Sequence, residues 1–326
     1  MPTNDVDVYE RDLLGYGGQP PPVCWPNGAH VAVSFVINYE EGAERTVLNG
    51  DTCSEQALSD LTGAAPVVGA RCPQIESMYE YGSRAGFWRL RNIFAEAGVP
   101  VTVFGVAQAL ERNPAAVAAM RELEWEVATH GYRWIDYRDV PVEEEQAHLR
   151  LAIEAHTAAT GARPVGHYIG RTSPNSARLC ALDGGFLYSS DSYADDLPYY
   201  TQPLRRHGGD TGCQLIVPYA LDTNDRRFVV GGFTESQQFF QYLKDNFDLL
   251  RDEGARGSPK MMSVGLHCRI AGKPARAAGL RRFVQYVQST GAAAWVATRR
   301  QIAEHWLAHH PPPQPTFYQR THAAAL

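Results

Sequence analysis

The chain has 326 residues, enough to bury the core of one large α/β domain or two smaller ones. A net charge of −6 with 20% charged residues leaves no footprint for nucleic acid, and the Arg pairs at 205–206, 226–227, 281–282 and 299–300 read as solvated faces. No stretch approaches the ~20 apolar residues of a membrane span, the acidic N-terminus lacks an apolar signal region, and scattered cysteines without CxxC spacing point to free thiols in a reducing cytoplasm.

Residues 1–30, with Gly15, Gly17, Gly18 and Pro20 to Pro22, read as an extended arm. A strand-then-helix rhythm begins at Val31, where Val31 to Ile37 has the unbroken apolar character of a strand covered on both faces. Ser83 is placed to cap a helix striped by Phe87, Leu90, Phe94 and Ala97 and stopped by Gly98. Val99 to Val106 is the next strand, Asn113-Pro114 opens a helix to about Leu123, and Glu126 to Thr129 leads as a strand into His130. Three glutamates start a helix over Val142 to Thr160, ended by Gly161.

Strands follow near Pro164 to Ile169, Phe186 to Ser190, Leu215 to Tyr219, Met261 to Leu266 and around Trp295, with helices between and after them to about His310. Seven or eight such units in one chain predict a parallel barrel over 31–310. Residues 42–82 and 191–213 break the rhythm and read as long loops of the kind that act as lids. Residues 311–326 read as a flexible tail, and His148 and His156 as surface residues of a charged helix.

In such a barrel the chemistry lies just beyond the C-terminal ends of the strands. Those positions hold Asn38, Glu40 and Glu41, then His130 and Arg133, then Tyr168 and Arg171, and later Asp191, Asn224 (beside Asp222 and Asp225) and His267. Two acids, two histidines and arginines on one face suit hydrolysis of a neutral amide: a carboxylate takes a proton from water, and a cation holds the oxyanion or protonates the leaving nitrogen. A catalytic zinc needs about three protein ligands; Glu41 and His130 offer two, and the residue four beyond His130 is Trp134, whose indole is no ligand.

The same residues carry a family resemblance over about 9–310. The order strand-Glu-Glu, Thr-His-Gly-Tyr-Arg-Trp, Arg-Pro-Val-Gly and Ser-Val-Gly-Leu-His resembles the polysaccharide-deacetylase (NodB-homology) superfamily. Asn-Tyr-Glu-Glu-Gly, the segment 79–86, Leu-Asp-Thr-Asn-Asp and Gly-Leu-His-Cys-Arg are more similar to its bacterial allantoinases. The resemblance implies a distorted (β/α) barrel of the polysaccharide-deacetylase type, a homotetramer, and ring opening without a metal or other cofactor. It places Glu40 at the catalytic aspartate, Glu41 at a metal-binding aspartate, His130 at the first metal histidine, Trp134 in place of the second, and His267 at the general acid.

The expected substrate is a small cyclic ureide or imide, allantoin first. Glu40, His267 and His130 are the expected catalytic residues, and Glu41, Arg133, Trp134, Tyr168, Arg171 and Asn224 the expected substrate contacts. Another hydantoin-like ring, a metal-dependent deacetylase of N-acetylated sugars, and a catalytically silent small-molecule binder are the alternatives. One departure bears on the substrate: His167 stands where the allantoinase pattern has tryptophan.

Overall fold

A computed structural model describes residues 11–204 and 212–322. Part of the expected arm, the Arg pair 205–206 with the adjoining part of the long loop 191–213, and the last four residues of the tail fall outside these. Among the described residues, nine strands form one sheet: β1 (Val31–Tyr39), β2 (Thr102–Gly105), β3 (Glu126–Thr129), β4 (Gly166–His167), β5 (Tyr188–Ser189), β6 (Tyr199–Thr201), β7 (Gln214–Ile216), β8 (Lys260–His267) and β9 (Ala294–Val296). The order is β6-β7-β5-β4-β3-β2-β1-β8, with β9 also on β1, and every pairing is parallel except β6 with β7. The terminal strands β6 and β8 do not pair, so the sheet is a curled half-barrel, the distorted barrel that the resemblance implied.

Around it run α1 (Pro73–Tyr81), α2 (Phe87–Ala97), α3 (Ala107–Arg112), α4 (Pro114–Glu122), α5 (Val142–Thr160), α6 (Ser176–Asp183), α7 (Ser236–Ala255), α8 (Pro274–Ser289), α9 (Arg299–His309) and α10 (Phe317–His322). The caps expected from sequence at Asn113 and Gly161 are present: Asn113 Oδ1 accepts from the Ala116 N–H at 3.1 Å, and Gly161 is left-handed.

Side chains alternate across a strand. In β1, Val31, Val33, Phe35, Ile37 and Tyr39 pack outward under the helices, while Ala32 and Val36 point into the curl with Phe104, Tyr168 and Tyr219. Asn38 and Glu40 continue the inward set. In β8, Met262, Val264 and Leu266 face outward, which sends Ser263, Gly265 and His267 inward. Register then aligns the strand ends: Asn38 lies opposite His267, Tyr39 opposite Gly105, Gly105 opposite Thr129, and Thr129 opposite His167. The residue after each strand therefore opens onto one cleft. Beneath it the curl is plugged by fully buried Arg299, which donates to Ser190 Oγ at 2.9 Å and Ser263 Oγ at 2.8 Å.

Several expectations are corrected. Ser83 caps nothing; its hydroxyl donates to the Glu80 carbonyl within a π-helical turn, Gly82–Gly86, that joins α1 to α2. That turn lies against the Cys268 carbonyl so closely that only a glycine fits at 86. His156 is buried, with its ring nitrogens 3.0 Å from the Val127 carbonyl and 3.2 Å from that of Ala162. The segment expected as a flexible tail packs: Thr316 bridges to Cys213, and Phe317 is buried with Leu204 and Ala181.

Candidate active site

A cleft of about 800 Å3 opens at the aligned strand ends. Glu40, His130, Trp134, Tyr168, Arg171, Asn224 and His267 line it together, with loops 56–63 and 221–230 forming its rim. Glu40 is 1% exposed. Its Oε1 lies 3.2 Å from His130 Nε2 and 3.6 Å from His267 Nε2, and its Oε2 accepts from Arg269 Nη2 at 2.7 Å. Burial alone would raise its pKa, but the Arg269 and histidine charges outweigh it and hold the carboxyl well below the usual range.

Each histidine is fixed by its other nitrogen. His267 Nδ1–H donates to Asp225 Oδ1 at 2.6 Å, and Asp225 Oδ2 accepts the backbone N–H groups of His267 and Ala271 at 2.7 and 2.9 Å. This leaves Nε2 facing Glu40 and the cleft. His130 Nδ1–H donates to the Tyr168 carbonyl at 2.6 Å, and the ring stacks on Tyr168 with centroids 5.1 Å apart. Asn38 and Asn224 both donate to the Tyr219 hydroxyl, at 3.0 and 3.1 Å.

Two expected contacts lie elsewhere. Glu41 follows Glu40 directly and so takes the opposite side of the strand, where its Oε1 is 3.4 Å from Arg269 Nη1 and 3.3 Å from the Arg269 backbone N. Burial raises its pKa, only partly offset by Arg269. Arg133 is carried away by the left-handed turn at Gly131 and donates to Asp51 Oδ2 at 2.6 Å and the Asn49 carbonyl at 3.2 Å. Arg171 reaches the cleft paired with Glu55 at 3.1 Å, while the Asp191 carboxylate takes the Ile169 and Gly170 N–H groups.

The strongest omission of the sequence reading is Arg269. Its three nitrogens bind Glu40, Glu41 and, through Nε at 2.9 Å, the Leu58 carbonyl of the rim loop. Its guanidinium lies 4.2 Å over the Tyr79 ring and 5.0 Å from that of Trp134, whose indole also carries Arg171 at 3.7 Å. A signal existed: two acids beside a buried strand need a cation, and Arg269 sits two residues beyond His267, on the same side. Asp225, next to Asn224 in sequence, is the second such residue, through its bond to His267.

The donor set does not fit the metal-binding aspartate and histidines that the deacetylase resemblance would align here. Glu41 is turned to Arg269, Trp134 lies between two guanidiniums, and among the described residues no three His, Cys, Asp or Glu side chains converge on a cation position. Cys268 faces the outer core and burial pushes its thiol up, so it offers no nucleophile.

A carboxylate and two anchored histidines at the strand ends of a curled parallel sheet define a hydrolase. The polysaccharide deacetylase family pattern matches residues 67–179. A Schizosaccharomyces pombe protein provisionally named a polysaccharide deacetylase is 44% identical over 319 residues, 93% of this chain and 99% of its own length. The chain therefore belongs to the polysaccharide deacetylase family.

Among solved structures, one from Pseudomonas aeruginosa PAO1, also provisionally named a polysaccharide deacetylase, is 52% identical with a TM-score of 0.89, covering 93% of this chain and all (100%) of that one. PuuE allantoinase is 49% identical with a TM-score of 0.89, covering 94% and 99%.

Proposed function

We propose that this hydrolase opens a cyclic amide ring, with allantoin to allantoate as the first candidate reaction. The observation that carries the reading is the Glu40 centre: a buried carboxylate bound by the Arg269 guanidinium and faced by the Nε2 atoms of two histidines. Similarity to PuuE allantoinase supports allantoin as the ring to test first.

Glu40 orients and activates water against a ring carbonyl. Arg269 makes Glu40 a weak final proton acceptor, so the proton passes to His267 Nε2, 3.6 Å away. Asp225 holds the imidazole in the tautomer that accepts there and steadies the imidazolium. His267 then returns the proton to the ring nitrogen as the C–N bond breaks. His130 Nε2 lies 3.2 Å from Glu40 Oε1 and lines the same cleft, beside the place where the oxyanion develops.

The six free cysteines support a reducing, cytoplasmic setting, and assembly as a homo-oligomer, a tetramer by family resemblance, would be read by light scattering. The names of the Schizosaccharomyces and Pseudomonas relatives favour a second reading, deacetylation of an N-acetylated sugar. Turnover of allantoin, hydantoins, succinimide and N-acetylglucosamine oligomers, with and without chelator, separates the two: the first reading expects ring opening that chelator leaves intact, the second acetate release that it abolishes.

A further inference from the structure

The cleft has two arginines on its wall, in opposite states. Arg171 is committed, paired with Glu55 and stacked on Trp134. Arg226 begins the rim loop just after Asp225 and lines the same cleft. Its backbone N–H is satisfied by Asn224 Oδ1 at 2.9 Å. Its guanidinium makes no hydrogen bond, ion pair or ring contact among the described residues, and its Nε is buried without a partner. The hydroxyl of nearby Tyr193 is joined to that of Tyr168 at 2.8 Å and makes no hydrogen bond to Arg226. Val229 and Val230, also on the wall, are apolar.

A buried donor left open is costly, so such a group is kept where a ligand completes it. A guanidinium presents a flat fork of N–H donors, which matches a carbonyl or carboxylate oxygen. The reacting carbonyl belongs at Glu40 and His267, so the acceptor for Arg226 must lie on another part of the substrate. The cleft volume of about 800 Å3 leaves room beyond a five-membered ring.

We infer that Arg226 determines specificity by binding the carbonyl of an arm pendant from the substrate ring, such as the ureido arm that distinguishes allantoin from hydantoin. The inference rests on the ring-opening reading. Because the guanidinium makes no polar contact with the rest of the described chain, Arg226→Gln should keep close to the wild-type melting temperature.

The test is kcat/KM for allantoin and for unsubstituted hydantoin, in the wild type, Arg226→Gln and Arg226→Lys. A charged hydrogen bond to a ligand accounts for about 10–100-fold. Arg226→Gln should therefore lower the allantoin-to-hydantoin preference at least 10-fold, mainly through KM, with Arg226→Lys between. A wild type that opens rings while Arg226→Gln keeps the preference within about twofold overturns this inference alone. A wild type inert on both rings overturns the ring-opening reading and the inference with it.

Discussion

Glu40 lies where water cannot solvate its charge, and the Arg269 guanidinium at 2.7 Å is the first charge that offsets this burial. Replacing Glu40 by Gln should lower kcat by about 10²–10⁴-fold with little change in fold, a loss that steady-state rates will show. Asp225→Asn replaces the carboxylate that fixes the His267 tautomer by a neutral amide, so kcat should fall by about 10³–10⁴-fold with KM little changed. Arg269→Met leaves buried acid uncompensated and should cost about 3–5 kcal/mol in a denaturant titration. Glu41→Gln should cost far less, since burial already favours the protonated form of Glu41.

Buried Glu44 has its pKa raised to about 7, first by burial, from an ordinary 4.5. Between those values the native state holds more protons than the unfolded chain, so Glu44 makes stability fall as pH rises from 4.5 to about 7. The slope is at most about 1.4 kcal/mol per pH unit, and Glu44→Gln should remove it from melting curves taken across that range. Glu40, with its lowered pKa, acts oppositely: its contribution is present at neutral pH and is lost on acidification below 4.5.

At the scale of elements, β1 and β8 were legible because their apolar runs are long and need no partner to be recognised. β4 and β5 pair over two residues each, and their limits are set by neighbouring strands that a linear reading does not see. α1 was missed because Cys72 is no capping residue and its side chain caps nothing, and because only Ile75 and Tyr79 are buried within it. Among site residues, strand ends located Glu40, His130 and His267. Strand alternation could also have set Glu41 apart from Glu40, whereas the Gly131 turn that removes Arg133 depends on the loop it meets at Asp51. Helix α10 makes a testable case: Phe317→Ala should cost about 3 kcal/mol, read by thermal or denaturant unfolding, where a flexible tail would show no change.

Over the whole molecule, contacts distant in sequence decide what composition and periodicity leave open. Trp25 of the N-terminal arm donates from Nε1 to the Lys260 carbonyl at 2.9 Å, and Arg269 ties the rim loop at Leu58 to the carboxylate 229 positions away. The parallel sheet was readable from the alternation of elements, and its incomplete closure was not, because that depends on how the edges β6 and β8 are finished. Among the described residues no helix is long and apolar enough to cross a membrane.

The central claim is that a guanidinium-bound Glu40 and the His267–Asp225 pair open a ring amide. The measurement that tests it most directly is turnover of allantoin by the purified protein and by Glu40→Gln, with metal chelator present throughout. Allantoate formation is expected from the wild type, with near-complete loss in the variant. The claim is contradicted if the wild type opens no ring and instead releases acetate from N-acetylglucosamine oligomers only when metal is restored.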